Sequence, residues 1–541
     1  YDDSNPKDIF RYSQELLGLT FEDVLSRVFE GDELKNKIEY YNNPKGKGTL
    51  GNLLEEHYFL YKPNSSPEPD FEKAGVELKA TPYEKNRKGI KAGERLVITM
   101  IPNTEPIESD FKGSHLEKKI SKILMIWYHR IKSQKRTEHN IDFVNLYNIY
   151  SKICSKDLEI ILDDYKTIVN KIISGNAHKL SEGDTKYLGA CTKGSTAAKS
   201  LKPQYYNKDI LAKRRAFSLK QSYMTYVLNN YVQEELMGYD SIFSEEDLKH
   251  GEFDAQILSK INLYVGRSEE ELYRAFNLLT ESKSKQINKV LVNRMLGVNT
   301  DNSEEFQKAN IIIKTIRVQR NGKPKESMSF PKIKIKELIK QDFENSYEYE
   351  FFETTRFLFV VFRENEEGKF ILSGSKFWNM PIEELESIGK FEWNCYKNKF
   401  IEGINFNMKK LKDIFFISTA AAVCLLGLGI LTGCSKRIGY GVVNWSIPEH
   451  NLKAADIVPV IVRSNISKVY IVELNNQKIE IPLWQLTFCT SKREAQAYIE
   501  KTTEYRSVYA AVKLDGLPLR SNPDNTSNQV YRLKLGQLVK I

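Results

Sequence analysis

Within the stretch PEPDFEKAGVELKATP, Asp70, Glu77 and Lys79 surround a short apolar run, where charge is hardest to accommodate. Two carboxylates and an ammonium at that spacing suit metal-assisted phosphodiester hydrolysis. Hard divalent cations take oxygen ligands, and Mg²⁺ keeps several of its waters. Breaking the ester requires a cation to neutralise charge and a deprotonatable water held in line. Asp70, Glu77 and the Leu78 carbonyl are the candidate Mg²⁺ ligands, and Lys79 supplies positive charge beside the water and phosphate.

The elements that must position these groups follow from the same text. GVELKA reads as a strand, so Val76, Leu78 and Ala80 face one way and Glu77 and Lys79 the other. Pro67 and Pro69 stiffen the turn that aims Asp70 at the same spot. Upstream, KGKGTLGNLLEEHYFLY has a Gly-rich entry and an amphipathic turn with Leu50, Leu53 and Leu54 apolar. Glu55 follows on this expected helix as a third carboxylate. An E-x-K tripeptide on a strand is also a common solvated surface pair, so spacing alone leaves both readings open.

The chain has 541 residues, enough for three or four units, with 80 Lys+Arg against 71 Asp+Glu and a formal charge of +9. That balance suits a polyanionic partner without requiring one. Six cysteines include no C-x-x-C pair, which argues against a zinc cluster or a disulfide framework.

Comparison of the chain with itself exposes a duplication. LLGLTFEDVLSRVF (16–29) pairs with YVGRSEEELYRAF (264–276), DFEKAGVELKATPY (70–83) with EFQKANIIIKTIRV (305–318), and KILMIWY (122–128) with RFLFVVF (356–362). The order is kept and the separation is nearly constant. In the second copy Glu305 stands for Asp70, Ile312 for Glu77, and only Lys314 survives. An isoleucine cannot ligate a hard cation, so the second copy is expected to bind or regulate without catalysing.

Between Lys186 and Lys220 lie nine basic residues and one acid, Asp209, interleaved with Tyr187, Tyr205, Tyr206 and Phe217. Such a run suits phosphate contacts, although charge runs are often simply solvated faces.

KGTLGNLLE, DFEKAGVELKATP and SHLEKKISKILMIWY together resemble the MutH family of nucleases, in particular its two-domain type II restriction branch that cuts GATC. The resemblance spans about residues 10–404. It implies a PD-(D/E)xK fold, that is, an α/β mixed sheet flanked by helices, here duplicated, and dependence on Mg²⁺. It also implies Asp70, Glu77 and Glu55 as metal ligands, Lys79 as the catalytic lysine, and Lys47 and Lys119 as further active-site lysines. For Lys119 a solvated helix charge is the alternative. YLGACTKGSTAAK resembles the family's recognition loop, which makes Lys193 the candidate for guanine N7 and O6. RRAFSLKQSYMTYVL resembles its second DNA-contacting segment, implying Arg215, Ser218 and Lys220 at the duplex, with Lys186 and Lys199 as further contacts. Cys191-Thr192 and Ser218 depart from the mismatch-repair members of the family, and both look like the restriction branch. The expectation is a GATC endonuclease indifferent to hemimethylation, working as a dimer or a two-site complex on double-stranded DNA. A GATC mismatch-repair nickase is the alternative.

The last quarter reads differently. From Met408, MKKLKDIFFISTAAAVCLLGLGILTGCSK has a basic start, an apolar core and small residues ending at Cys434. That pattern resembles a bacterial lipoprotein signal with Cys434 as the lipidated residue; a buried helix or a transmembrane span would satisfy the same apolar length. Beyond it, period-two apolar spacing over 458–488 and the GLPLRSNP segment predict small SH3-like β modules. The expected organisation is a catalytic domain at 1–235, a linker at 236–257 and a truncated non-catalytic copy at 258–405. A signal or membrane segment at 408–434 and an all-β region at 435–541 complete it. A cytoplasmic nuclease and a membrane- or cell-wall-associated module imply different compartments, so a fusion of two genes is expected.

Overall fold

The computed structural model describes residues 1–43, 49–63, 66–87, 89–194, 200–233, 239–250, 252–278, 287–299, 303–401, 439–444, 446–464, 469–474, 477–482, 485–489, 492–506, 509–511, 517–520, 529–533 and 538–540. The chain forms two compact units, one of Tyr1–Glu326 with Asp342–Ser387 and the other of Ser327–Gln341 with Ile388–Ile541.

The first unit opens with four helices, α1 (Pro6–Ser13), α2 (Phe21–Ser26), α3 (Gly31–Asn42) and α4 (Leu50–His57). Thr20 and Asp23 form a reciprocal capping box at the start of α2, satisfying amides that the helix itself leaves unbonded. A mixed sheet follows, made of β1 (Glu77–Asn86), β2 (Gly89–Ala92), β4 (Lys122–His129) and β5 (Ile141–Asn148) in the order β2-β1-β4-β5. Strands β1 and β4 run parallel, with Glu77 opposite Ile123 and Lys79 opposite Met125. The β4 run KILMIWY is almost continuously apolar because both faces of the sheet are covered. Leu124 and Ile126 pack with Leu53 and Leu54 of α4 and with Phe21 and Val24 of α2. Ile123, Met125 and Trp127 face the other core, beside α6 (Ser155–Ile173).

A second sheet has the order β3-β9-β6, with β3 (Leu96–Met100), β6 (Leu188–Thr192) and β9 (Arg215–Leu219). A short ribbon pairs β7 (Leu201–Lys202) with β8 (Ala212–Lys213). Between β3 and β4, helix α5 (His115–Ile120) leads directly into β4.

The β1-β4-β5 arrangement recurs in the second copy. There β10 (Ile311–Val318) runs parallel to β11 (Arg356–Glu364), which runs antiparallel to β12 (Phe370–Trp378). Lys314 faces Phe359 in the register that Lys79 and Met125 occupy in the first copy. One apolar core runs through both copies, from Met125 and Ile161 to Ile257, Leu291 and Leu358. The segment expected as a linker belongs to this core, since Ile242, Phe243 and Phe253 are buried in it. Its centre, SEEDLKHGE, is polar, but Ile242, Phe243, Phe253 and Ile257 are removed from water, which favours a packed connection.

The second unit is built around a five-stranded antiparallel sheet of β13 (Gly439–Val443), β14 (Ile457–Ser464), β15 (Val469–Leu474), β16 (Gln477–Pro482) and β17 (Leu486–Cys489) in the order β16-β15-β14-β13-β17. A helix at Lys492–Arg506 follows, which the strand-only expectation for this region omitted. Among the described residues no helix is long and apolar enough to cross a membrane. The expected signal at 408–434, with Cys434, lies outside the described residues.

Candidate active site

Helix α4 starts at Thr49, whose hydroxyl accepts from the Asn52 amide at 3.1 Å, and it buries Leu50, Leu53 and Leu54. It ends in a tight closure. Leu60 adopts a left-handed conformation, φ 61°, and the Tyr61 amide donates back to the Glu55 carbonyl at 2.9 Å. This is the helix stop that glycine usually provides, here built on leucine.

The Asp70–Glu77 spacing is set by a compact reversal. The Phe71 amide donates to Val76 O at 2.9 Å and the Val76 amide to Phe71 O at 3.2 Å. Between them a single 3₁₀ turn, Glu72–Ala74, is closed by Gly75 at φ 62°, a conformation that residues with a side chain seldom adopt. The reversal lays Asp70 beside the start of β1, where its Oδ2 accepts from the Leu78 amide at 2.8 Å.

Glu77 is 2% exposed. Its Oε1 accepts from Lys79 Nζ at 2.7 Å, and Lys119 Nζ reaches both oxygens, at 3.1 and 3.3 Å. Lys119 arrives from α5, whose end meets the start of β4 next to β1. Sequence reasoning placed Glu77 on an open strand face; the structure sinks it beneath two ammonium groups. Burial is tolerable because both cations are paired with it.

The carboxylates feel one another. Burial, then the nearby Glu77 charge, raises Asp70 above the usual aspartate range, against the opposing pull of the Leu78 amide, Lys79 and Lys119. Burial and then Asp70 push Glu55 up to about 7, with Lys79 opposing and Glu77 adding. Tyr61 is raised by burial first and then by Asp70, Glu55 and Glu77, and its hydroxyl is buried without a hydrogen-bond partner. Glu55, Asp70, Glu77, Lys79 and Lys119 therefore share one electrostatic environment. Tyr61 is the member that sequence reasoning missed: in EEHYFLY nothing separates it from core aromatics.

Among the described residues no three His, Cys, Asp or Glu side chains stand grouped as a ready metal cage. Glu77 is instead engaged by two lysines. The donor chemistry nevertheless fits a hard cation, because three acidic groups in a partly desolvated pocket hold up one another's protonation and supply only oxygen. Lys47 lies outside the described residues.

The DNA-contact candidates are placed less simply. Lys186 is 6% exposed and pairs with Asp163 at 2.5 Å. Arg215 is buried and donates to the carbonyls of Ala190 and Leu180, while Lys220 is buried and donates to that of Thr185. Ser218 is fully buried, with its hydroxyl unpartnered. The structure thus puts Lys186, Arg215, Ser218 and Lys220 inside the protein rather than on an open basic face. The reason for Arg215 and Ser218 is that β9 is the central strand of its sheet, between β3 and β6. Lys193 is half-buried, and Lys199 lies outside the described residues. The exposed cations of the run are Lys202, Lys208 and Arg214, on and around the β7–β8 ribbon, which also exposes Tyr205.

A mixed sheet carrying an acid–lysine cluster at the start of one strand defines a MutH-like nuclease domain. Residues 59–164 match the family described as DNA mismatch repair enzyme MutH. The chain is 35% identical to the type II restriction enzyme Sau3AI of Staphylococcus aureus over 389 residues, 68% of this chain and 78% of that enzyme. It is 22% identical to the DNA mismatch repair protein MutH of Actinobacillus pleuropneumoniae serotype 3 (strain JL03), over 36% of this chain and 82% of that protein. The chain belongs to the family of type II restriction enzymes that includes Sau3AI, and it is a site-specific endonuclease. Residues 438–504 match a different family, described as the TP0260 family N-terminal SH3 domain. An uncharacterized protein of Treponema pallidum (strain Nichols) is 52% identical over 123 residues, 22% of this chain and 28% of that protein.

Proposed function

We propose that this chain is a Mg²⁺-dependent type II restriction endonuclease that cuts double-stranded DNA at GATC. The observation that carries the reading is the meeting of Glu55, Asp70 and Glu77 with Lys79 and Lys119 where β1 begins. The GATC preference is supported by the recognition-loop resemblance around Lys193 and by family membership.

Glu55, Asp70 and Glu77 would hold the cation, which supplies charge neutralisation at the phosphate and a more acidic bound water. Lys79 and Lys119, which donate to Glu77 here, would stand beside the anionic phosphate as charge-assisted donors. The Leu78 amide keeps Asp70 aimed at the site throughout. In that position the two ammonium groups would stabilise charge that develops during cleavage. The exposed ribbon cations Lys202, Lys208 and Arg214 are placed to neutralise backbone phosphates, with Lys193 as the base-reading candidate.

The test is cleavage of unmethylated, hemimethylated and fully methylated GATC duplexes beside a scrambled site, with Mg²⁺ and after chelation. Equal cutting of the three GATC substrates supports the restriction reading, and a strict need for hemimethylation would favour a repair nickase. Asp70→Ala should abolish cutting while GATC binding persists in Ca²⁺; retained cutting would reject the site. A dimer or two-site complex on DNA is proposed as the working state, to be read by sedimentation with one-site and two-site duplexes.

The SH3-type match at 438–504 supports a separate binding role for the C-terminal region, and its proposed envelope association rests on the signal-like segment at 408–434. Mass spectrometry across Glu402–Lys412 tests whether the two parts travel as one polypeptide: a spanning peptide supports fusion, and its absence beside abundant flanking peptides argues against it.

A further inference from the structure

We propose that Tyr61 is a positioning residue of the nuclease site: its hydroxyl, unpartnered among the described residues, donates to Glu55 or Asp70 once a cation draws those carboxylates together, and so fixes their approach to it. The proposal rests on the metal-dependent reading above and adds a residue to it.

Three observations converge on this residue. First, its backbone is tied to the residue that carries one carboxylate: the Tyr61 amide donates to the main-chain carbonyl of Glu55, at 2.9 Å. Second, its ring is yoked to another. It sits edge-on to Phe71, the neighbour of Asp70, with centroids 5.3 Å apart. Third, the hydroxyl is buried and has no partner among the described residues. Leaving a buried phenol unpaired costs about 1–3 kcal/mol, so such a group calls for a partner.

The backbone shows that this placement is imposed. Leu60 is held at φ 61° while its side chain is 75% exposed, so an apolar residue endures a conformation suited to glycine and gains no burial from it. What the turn achieves is to fold Tyr61 back toward the helix that carries Glu55.

The available acceptors narrow the role. Glu77 already holds two ammonium groups and Asp70 Oδ2 holds the Leu78 amide. Glu55 and the second oxygen of Asp70 are the acceptors left for the phenol. A neutral donor there orients carboxylates without competing for their charge, which a third lysine would do. Outer partners of metal ligands behave this way in general.

The experiment uses the full chain with Ca²⁺ and a GATC duplex, titrated calorimetrically and paired with cleavage kinetics in Mg²⁺. Tyr61→Phe should weaken Ca²⁺ binding about 10–100-fold and lower kcat while KM for DNA stays level. Leu60→Val, whose branched side chain resists a positive φ, should weaken Ca²⁺ similarly by displacing Tyr61, whereas Leu60→Gly should stay within about twofold of wild type. Asp70→Asn is the control. If it loses Ca²⁺ while Tyr61→Phe or Leu60→Val keeps wild-type affinity, the positioning role is overturned. If Asp70→Asn itself leaves Ca²⁺ binding unchanged, the metal reading fails instead.

Discussion

The ammonium of Lys308, in the second copy, lies 2.6 Å from Asp157 Oδ1 in the first, and each side chain is only 1% exposed. Glu304 at 2.6 Å and the Tyr231 hydroxyl at 2.9 Å complete its coordination, and the Tyr226 ring sits 4.3 Å from the charge. Removing one partner of such a pair strands the other in a dry site. Lys308→Met should therefore lower stability by about 3–5 kcal/mol. The double variant with Asp157→Leu should recover part of the loss. Denaturant unfolding of the single and double variants measures both.

At the active site, Lys79 and Lys119 share one carboxylate but arrive from different elements. Lys119→Ala should reduce kcat by about 10²–10³-fold with little change in DNA affinity, as expected when a donor to developing charge is lost. Single-turnover cleavage beside equilibrium binding separates the two effects. Equal losses in binding and rate would instead give Lys119 a ground-state role.

The burial pattern of the basic run divides its residues into two groups. Alanine at Lys202, Lys208 or Arg214 should weaken binding on all duplexes alike and reduce the log–log salt slope by about 0.9 for each phosphate no longer neutralised. Alanine at Lys186 or Arg215 should chiefly lower thermal stability, because each is buried and donates to groups inside the protein, Lys186 to Asp163 and Arg215 to the Ala190 and Leu180 carbonyls. Salt-titrated binding and melting curves distinguish the groups.

Stability should also depend on pH through Glu353. It is buried with Glu182, Arg215, Arg95 and Lys213 nearby, and burial first, then Glu182, raises it from 4.5 to about 7. A carboxyl raised on folding favours the folded state fully below its unfolded pKa, and that contribution is lost as pH rises through about 7. The melting temperature of wild type should thus fall relative to that of Glu353→Gln between about pH 5 and 8. Parallel melting curves for the two chains would contradict this.

Local patterns carried much of the site. The Asp70–Glu77–Lys79 spacing was readable because a strand has period two and the preceding Gly75 closes a turn of fixed size. The alternation over 458–488 likewise announced its hairpins. What sequence concealed were long-range pairings. The partners of Arg215 lie 25 and 35 residues away, so a charge count sees a free cation where the fold has a buried one bonded to two carbonyls. Tyr61 was hidden for a related reason, since an aromatic beside other aromatics shows its polar end only when the pocket around it exists. The expected linker was read as the stretch between the two copies, and the burial of Ile242, Phe243 and Phe253 in it depends on surfaces far along the chain.

Because both copies contribute to a single apolar interior, the catalytic half is not a detachable cassette. A gene shortened to its first 235 codons would encode a raw greasy flank and yield inclusion bodies, whatever the integrity of its acids and lysines. The second copy supplies the wall against which the first one folds.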